Sequence, residues 1–383
     1  MATTDKFFTK IQPAAVLKHG ILRRYFPVYA RKTGSRSKDR KVAYLDCFAG
    51  PGVYDDGSPG SPAHAVDTAR AITDADSPDG KYRVEGYLIE KDPAAYRTLC
   101  SYLQDEGLDW NIWRGDASAS LGGVLEEIDP GYSLFAFIDP FGLGIAFDQI
   151  KSILARAGRR VGGYRTGVAT EVLLNFSFPG LRRTAGHLTS TKTEPKYLKS
   201  RDTILMRLDS TLGGDWWQPI WTSGNPDREK QIFEEYRRRL STSSGTWAWW
   251  SVPVSDRWDG PKDYMLLLLT QHGDGIWHFN EALSNALEEY RRACLDQAAG
   301  QLDFDSLWQG PEQWEAEIAA NIDRRLGHGP FRIGDEMKVV YGKALGFARE
   351  RHIRAALNQL YAAGKTPTNC RGQKIQWLRV SPP

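Results

Sequence analysis

Short apolar runs alternate with amphipathic stretches along most of the chain. Apolar residues recur at helical intervals over residues 13–29, which predicts a leading amphipathic helix. From residue 42 the rhythm becomes strand, glycine-rich turn, helix, strand, and it predicts strands at residues 42–45, 84–89, 110–114, 134–138 and 171–175. The first, fourth and fifth are continuous apolar runs, typical of strands buried on both faces. This rhythm predicts a parallel sheet with helices on both faces.

The second half of the chain changes character twice. Residues 179–239 are helical in pattern and basic, and residues 246–254 and 264–270, separated by a turn-like segment, are the predicted closing pair of strands. A long helix over residues 276–296 follows. The tail then predicts helices at residues 315–325, 335–341 and 350–363 and a strand-like stretch at 374–380, a pattern that indicates a winged helix-turn-helix.

These patterns predict one large domain and a small one. We expect a doubly wound, mostly parallel seven-stranded sheet with an antiparallel closing strand, followed by the winged-helix domain. The predicted bounds are 1–40 for the helical lead and its basic loop, 41–300 for the main domain with a helical insertion at about 180–245, and 301–383 for the winged helix.

Composition narrows the class of protein. With 41% hydrophobic and 25% charged residues, the 383-residue chain has enough apolar material for a sizeable core. Its four cysteines are far apart and form no CxxC pair, so we expect no metal site and no disulfide framework, and a reducing cytoplasm as location. The N-terminus lacks a signal-peptide pattern, and the longest apolar run, residues 264–269, is too short to span a membrane.

A glycine-rich turn follows the first predicted strand. Residues 46–52 read DCFAGPG, an acid followed by glycines that let the backbone approach a ligand at the carboxyl edge of the sheet. A dinucleotide site would favour GxGxxG, and a phosphate-binding loop would add GKS or GKT. Because Asp46 precedes the glycines and suits an amino group, the turn favours the aminoacyl part of S-adenosylmethionine. A tight turn without a ligand is the alternative.

Two later strand ends continue the series of acids. Glu90 ends the second strand, where a carboxylate can accept hydrogen bonds from ribose hydroxyls. Asp116 follows the third strand and is placed to accept from an adenine amino group, although a solvated loop acid fits that motif equally well. Three acids at three successive strand ends support the S-adenosylmethionine prediction for all of them.

The fourth strand ends in an acid, a proline and an aromatic residue. In this motif Asp139 would accept from an amine, Pro140 would stiffen the turn, and Phe141 would stack on a planar substrate. The alternative is that Asp139 only lines the cofactor pocket and Phe141 belongs to the core. Asn175 and Ser177 at the end of the fifth strand are candidates for substrate contact or for capping the next helix. Asp139, Pro140, Phe141 and Asn175 are the predicted catalytic set.

With these motifs the sequence resembles the three-Cys-motif partner family, whose members resemble class I methyltransferases with a C-terminal winged helix. The matching segments are KHGIL at 18–22, YLDCFAGPG at 44–52, LIEKD at 88–92, FIDPFG at 137–142 and the strand at 264–272. The resemblance implies a bound S-adenosylmethionine and a protein partner with a three-cysteine, radical-enzyme-like motif. Lys18 and His19 would then cover the cofactor or contact substrate, or form an exposed helix face. The predicted cofactor set is Lys18, His19, Asp46, Phe48, Ala49, Gly50, Gly52, Glu90, Lys91, Asp116 and Ala117.

Charge distribution bears on the methyl acceptor. The net charge is only +3, but basic residues concentrate in the loop at 31–41, in residues 182–201 and in the tail, where residues 331–383 hold ten Lys and Arg against three acids. The first hypothesis is a methyltransferase acting on a base amine of DNA or RNA, positioned by the basic tail. The second is a small-molecule or nucleoside N-methyltransferase whose pocket is shaped by the thirteen tryptophans. The third is a non-catalytic nucleic-acid-binding or partner-docking protein.

Overall fold

The computed structural model describes residues 12–73, 82–158, 160–161, 164–165, 167–244, 248–257, 260–297 and 310–383. The chain divides into two compact units. The first comprises Met1–Ala15 and Leu22–Gly273, and the second comprises Val16–Ile21 and Asp274–Pro383. The predicted domain boundary at residue 300 and the first two residues of the predicted strand 246–254 lie outside the described residues.

Nine strands lie in the first unit, counted over its described residues. Seven of them form the main sheet, in which five strands are parallel and two are at the closing edge. The other two are short and pair with each other in a separate hairpin. They are β1 (Lys41–Asp46), β2 (Arg83–Glu90), β3 (Asn111–Arg114), β4 (Ser133–Ile138), β5 (Arg160–Val161), β6 (Tyr164–Arg165), β7 (Thr170–Ser177), β8 (Ala248–Val254) and β9 (Tyr264–Thr270).

The main sheet has the strand order β3-β2-β1-β4-β7-β9-β8. Strands β3, β2, β1, β4 and β7 pair in parallel, whereas β9 runs antiparallel to both β7 and β8. The predicted doubly wound, mostly parallel sheet with an antiparallel closing strand is confirmed. Since the strand order reverses between β1 and β4, ligands of such a sheet bind at the carboxyl ends of these two strands.

Helices cover both faces of this sheet. In chain order they are α1 (Pro13–Gly34), α2 (Ser61–Thr73), α3 (Pro93–Asp105), α4 (Ala117–Glu127), α5 (Phe147–Ala155), α6 (Phe178–Ala185), α7 (Pro195–Leu212), α8 (Trp217–Thr222) and α9 (Arg228–Ser244). The leading helix is longer than predicted and ends at Gly34, so that Arg31 and Lys32 of the predicted basic loop lie in its last turn. Cations there are favoured by the negative end of the helix dipole.

The two faces of the sheet bury different side chains. On one face, Phe26 of α1 packs on Tyr44 and Phe135, with ring centroids 4.9 and 5.3 Å apart. The hydroxyl of Tyr29 also donates to the carbonyls of Leu134 and Ala169. The opposite face packs against α4, α5 and α9 in an apolar cluster. Because side chains alternate along a strand, Asp46, Asp139 and Asn175 point to the α1 face.

The second unit is mostly helical. Its elements are α10 (Gly273–Gln297), α11 (Pro311–Leu326), β10 (Phe331–Arg332), α12 (Met337–Tyr341), α13 (Glu350–Ala362) and β11 (Arg379–Val380). The prediction of a strand over residues 374–380 is wrong in extent, because Ile375–Trp377 forms a 3-10 turn and only β11 pairs with β10. Whether this unit is a winged helix stays a prediction. None of the helices in the described ranges is both long and apolar enough to cross a membrane.

Candidate active site

The first polar group of the sheet edge is Asp46, the last residue of β1. Its carboxylate accepts from the Tyr44 hydroxyl at 3.0 Å and from the Phe48 N–H at 3.1 Å, and it is also hydrogen-bonded to the Ser61 side chain. The side chain is completely buried, and burial raises the pKa of this carboxyl to about 6. Asp46 thus joins the start of α2 to the glycine-rich turn, and a ligand reaches it only if these contacts rearrange.

The glycines of the turn adopt conformations that other residues avoid. Gly50 and Gly52 have φ values of 67° and 85°, in the left-handed region. A Cβ on Gly52 would also lie 3.0 Å from the Tyr102 ring of α3, so this position needs glycine for space as well. Ala49 donates its N–H to the carbonyl of Ile89 at 3.0 Å, which fixes the turn over the end of β2.

Glu90, the last residue of β2, braces the same turn. One carboxylate oxygen accepts from the Gly50 N–H at 2.7 Å, and the other accepts from the Asp92 N–H at 2.6 Å. The side chain is partly exposed, and each oxygen keeps a second lone pair. Glu90 can therefore hold the backbone and still accept hydrogen bonds from a ligand.

Asp116 begins α4 and serves as its N-cap. Its side chain accepts from the Ser118 N–H at 3.1 Å and lies 2.9 Å from the ammonium of Lys91. The Lys91 ion pair, helped by the backbone donors, lowers the pKa of this carboxyl. Both partners are exposed, so a ligand can reach either one. Lys91 and Ala117 of the predicted cofactor set thus lie at the same helix start.

Asp139 and Asn175, the polar groups at the ends of β4 and β7, form a pair. The side-chain amide of Asn175, in β7, donates to the Asp139 carboxylate after β4 at 2.7 Å. Asn175 is buried, and its Oδ1 is a hydrogen-bond acceptor with no partner within the described residues. An unpartnered buried acceptor costs about 1–3 kcal/mol, so this position favours a ligand that brings a hydrogen-bond donor. Ser177, the other candidate in β7, instead caps α6 through the Gly180 N–H.

The loop after Asp139 places an aromatic ring at the surface. Pro140 is buried, whereas Phe141 is 72% exposed, which excludes the interpretation that this ring belongs to the core. A Cβ on Gly144 would lie 2.9 Å from the Phe48 ring, so the loop after β4 packs directly on the turn after β1. The predicted cofactor turn and the predicted acceptor loop therefore lie side by side.

Two tyrosines that the sequence analysis missed flank the same carboxylates. Burial raises the pKa of the Tyr54 hydroxyl, and the charges of Asp139 and Asp46 raise it further. Burial also raises the pKa of Tyr264, with smaller contributions from Asp256 and Asp139. Tyr264 pairs with Ser177 because β9 is antiparallel, so the start of β9 meets the end of β7. A reversed closing strand is the signal that could have identified it.

A small cleft, partly open to solvent, borders this loop. Its lining is mainly apolar and comes from the loop after β4, the end of β7 and helices α5, α7 and α9. Asn175 and Thr211 are its polar side chains besides the Tyr236 hydroxyl, and no tryptophan is among the residues that line it. The tryptophan-shaped pocket of the second hypothesis is not seen in this cleft.

The remaining predicted residues have other surroundings. Lys18 is half-buried and His19 is buried, both on the part of α1 that belongs to the second unit, and their role in cofactor binding stays a prediction. All four cysteines are described and carry free thiols. Within the described ranges, no group of three His, Cys, Asp or Glu side chains is arranged to hold a metal ion.

Comparisons with known proteins give similarities of fold at low identity. No family model matches the sequence, and no curated protein matches it. The O-methyltransferase TomG from Streptomyces achromogenes, solved with SAM, is 14% identical over 70% of this chain and 94% of its own, with a TM-score of 0.33. Protein LPL1258 from Legionella pneumophila is 14% identical over 68% and 85%, with a TM-score of 0.35. A dimethyladenosine transferase from Plasmodium falciparum is 12% identical over 90% and 96%, with a TM-score of 0.31.

These scores are too low to carry an argument about ligand or substrate. The fold assignment rests instead on the order and direction of the seven strands.

Proposed function

We propose that this chain is an S-adenosylmethionine-dependent methyltransferase that acts on an amino group of a nucleobase in DNA or RNA. The support for the cofactor is the position of three acids at the carboxyl edge of a doubly wound sheet, next to the strand-order reversal. The support for the acceptor is the Asp139–Asn175 pair.

The side chains of the turn fit S-adenosylmethionine by their chemistry. Glu90 is partly exposed with spare acceptor capacity for ribose hydroxyls, and exposed Asp116 can accept from an adenine amino group. Asp46, enclosed by its own contacts, acts on the cationic aminoacyl end through its charge and by fixing the turn. When bound, the cofactor would supply an electrophilic methyl group on a sulfonium.

The single observation that carries the acceptor proposal is the unpartnered Oδ1 of Asn175. An amino group has two N–H donors, which can satisfy this oxygen and the Asp139 carboxylate together. A hydroxyl has one hydrogen and would leave one acceptor unsatisfied. The pair therefore favours an amine, held so that its nitrogen faces the methyl donor. As the nitrogen gains a methyl group it must lose a proton, and Asp139 is the group placed to take it.

The partners are also proposals. Nucleic acid is proposed on the basic tail, although four of its ten cations are already held in ion pairs: Arg332 with Asp335, Arg349 with Glu288, Arg354 with Glu350 and Lys365 with Asp323. A protein partner carrying a three-cysteine, radical-enzyme-like motif rests on the family resemblance alone.

The test combines cofactor binding with methyl transfer. We expect S-adenosylmethionine to raise the melting temperature and label from a labelled methyl group to enter DNA or RNA when nucleic acid, protein and small-molecule extracts are compared. Asp139→Ala should keep the melting shift and lose transfer by about 10²–10⁴-fold. Asp148→Ala, which removes an 87% exposed carboxylate on α5, is the matched control and should keep both.

Each outcome decides one part of the proposal. The absence of a melting shift in the wild-type protein would exclude the cofactor. Label that enters only small molecules would favour the second hypothesis. Label that enters only protein would contradict the nucleobase acceptor and the small-molecule acceptor alike. A melting shift without transfer to any extract would favour the non-catalytic binding protein.

A further inference from the structure

Helix α6 brings a cation to the loop that carries Asp139. The first turn of α6 packs on this loop so closely that a Cβ on Gly180 would lie 3.1 Å from the Gly142 Cα. One turn further, Arg183 extends back over the same residue, and a Cβ on Gly142 would lie 3.3 Å from its Nη2. The guanidinium therefore lies against Gly142, which follows the proposed proton acceptor Asp139 by three residues in the sequence. The position of the helix is fixed by its backbone contact with the same loop.

The two neighbouring arginines of α6 differ in their partners. Arg182 binds Glu229 of α9 through its Nε, at 2.9 Å to each carboxylate oxygen. Arg183 is exposed and, within the described ranges, forms no hydrogen bond and no ion pair. A guanidinium presents five N–H donors in a planar fork that matches a phosphate, and those of Arg183 remain available.

An exposed aromatic ring lies on the same loop. Phe141 precedes Gly142 and is the most exposed large apolar side chain in the described part of the chain, at 72%. The combination of an aromatic face and a cation is the recognition chemistry of unstacked nucleobases and their phosphates.

Further unpaired cations continue beyond α6. Lys192, Lys196 and Lys199 are exposed and have no carboxylate partner among the described residues, and Lys192 lies 5.5 Å from the Tyr197 ring centroid. The acids of this segment are Glu194 and Asp202, and Asp202 is 3.5 Å from Arg201. The segment that follows α6 in the chain thus carries an excess of exposed positive charge, which complements a chain of phosphates.

We propose that Arg183 and Phe141 form the entry site for a single-stranded nucleic acid, with the guanidinium on a backbone phosphate and the ring against the target base. This inference rests on the proposed function and makes its substrate class specific. A base must leave its stack before its amino group can reach Asp139, and stacking on Phe141 would compensate for part of the lost stacking.

The test measures how binding depends on salt. We expect wild-type protein to bind fluorescent single-stranded DNA or RNA of about 12 nucleotides, read by anisotropy over a series of salt concentrations. Arg183→Gln should weaken binding roughly tenfold and reduce the slope of log K against log salt by about 0.7, the loss of one phosphate contact. Phe141→Leu should weaken binding about tenfold with an unchanged slope, because a stacked ring releases no counterion.

The matched control is Arg97→Gln, which removes the same charge from an exposed position on α3. It should leave affinity and slope within error of wild type. Equal slopes for the Arg183 and Arg97 variants would overturn the proposal. Polyglutamate of equal charge that binds as tightly and depends equally on Arg183 would also overturn it, in favour of an acidic protein surface. Both readouts are binding measurements, so they succeed or fail independently of the cofactor-induced melting shift.

Discussion

The cofactor half and the acceptor half of the sheet edge differ in how far the chain satisfies its own polar groups. In the cofactor half, Asp46, Glu90 and Asp116 all accept backbone hydrogen bonds, and each helps to hold a turn or a helix start. In the acceptor half, Asn175 keeps an unpartnered buried oxygen, and the cation of Arg183 has no counter-charge in the described ranges.

This difference in hydrogen bonding corresponds to two functions, cofactor binding and acceptor recognition. A cofactor that binds in every cycle is served by a turn that is already rigid, because ordering a loop at the time of binding would cost conformational entropy. An acceptor amine is recognised by the hydrogen bonds that the protein leaves unmade. Substitutions in the cofactor half should therefore change stability and cofactor affinity together, whereas substitutions in the acceptor half should change acceptor binding or transfer and leave stability nearly level.

Among Asn175→Leu, Asp46→Asn and Asp116→Ala, the Asn175→Leu substitution should produce the largest effect, and it should separate activity from stability. Leucine has a similar volume, removes the orphan oxygen and removes the donor to Asp139. We expect methyl transfer to fall roughly 10²–10³-fold, while the free energy of unfolding stays nearly level, because removal of the unsatisfied acceptor offsets the lost hydrogen bond to Asp139. Steady-state transfer and urea unfolding measure the two quantities on the same preparation.

The comparison between halves would break if this variant lost stability and activity in proportion. In that case the amide of Asn175 would be a structural group like those of the cofactor half. Retention of the S-adenosylmethionine-induced melting shift is the control that the cofactor half remains folded.

Asp46→Asn should remove a contribution to stability whose pH dependence is opposite to that of most carboxylates. Burial raises the pKa of this carboxyl from 3.8 to about 6, so the folded protein binds a proton that the unfolded chain releases. Stability from this group is complete below pH 4 and is lost as the pH rises to 6. The asparagine variant avoids that loss, so its free energy of unfolding relative to wild type should rise by roughly 2–3 kcal/mol between pH 4 and pH 7.

Urea unfolding of both proteins across this range checks the prediction, because every other carboxylate cancels in the difference. A constant difference would mean that Asp46 titrates normally in the folded protein. The same variant should bind S-adenosylmethionine more weakly, since it lacks the charge that attracts the cationic end of the cofactor.

The sequence predicted the strands well because their apolar runs are buried on both faces. The runs at 134–138 and 171–175 correspond to β4 and β7 within one or two residues. The closing strand and its direction were also predicted. The extent of the strand near residue 375 was wrong, because tertiary packing buries Ile375 in a 3-10 turn that local propensity does not indicate.

Site residues were predictable where they follow a strand, and less so where they depend on contacts between distant segments. Asp139 and Asn175 are separated by 36 residues, and parallel pairing of β4 with β7 brings them together. Two other residues could not be assigned to the site from the sequence, because only the folded chain shows their neighbours. These are Tyr54, which lies near Asp139 and Asp46, and Arg183, which lies against Gly142. The complete burial of the Asp46 carboxylate was not predictable from the sequence, because it depends on contacts with the Tyr44 and Ser61 side chains.

Asp116→Ala should produce the smallest effect, and it tests whether the N-cap contributes to the rigidity of the cofactor half. Loss of the N-cap of α4 should cost about 1 kcal/mol at pH 7, and cofactor affinity should fall several-fold because an adenine acceptor is lost. Since the pKa of Asp116 is lowered in the folded protein, this stability difference should shrink as the pH falls below the ordinary value of 3.8.

Asp116→Asn keeps a capping oxygen and loses the Lys91 ion pair, which is exposed and contributes little. If the asparagine variant were as destabilised as the alanine variant, the ion pair and not the cap would hold this end of the site, and the cofactor half would be less rigid than its hydrogen bonds indicate.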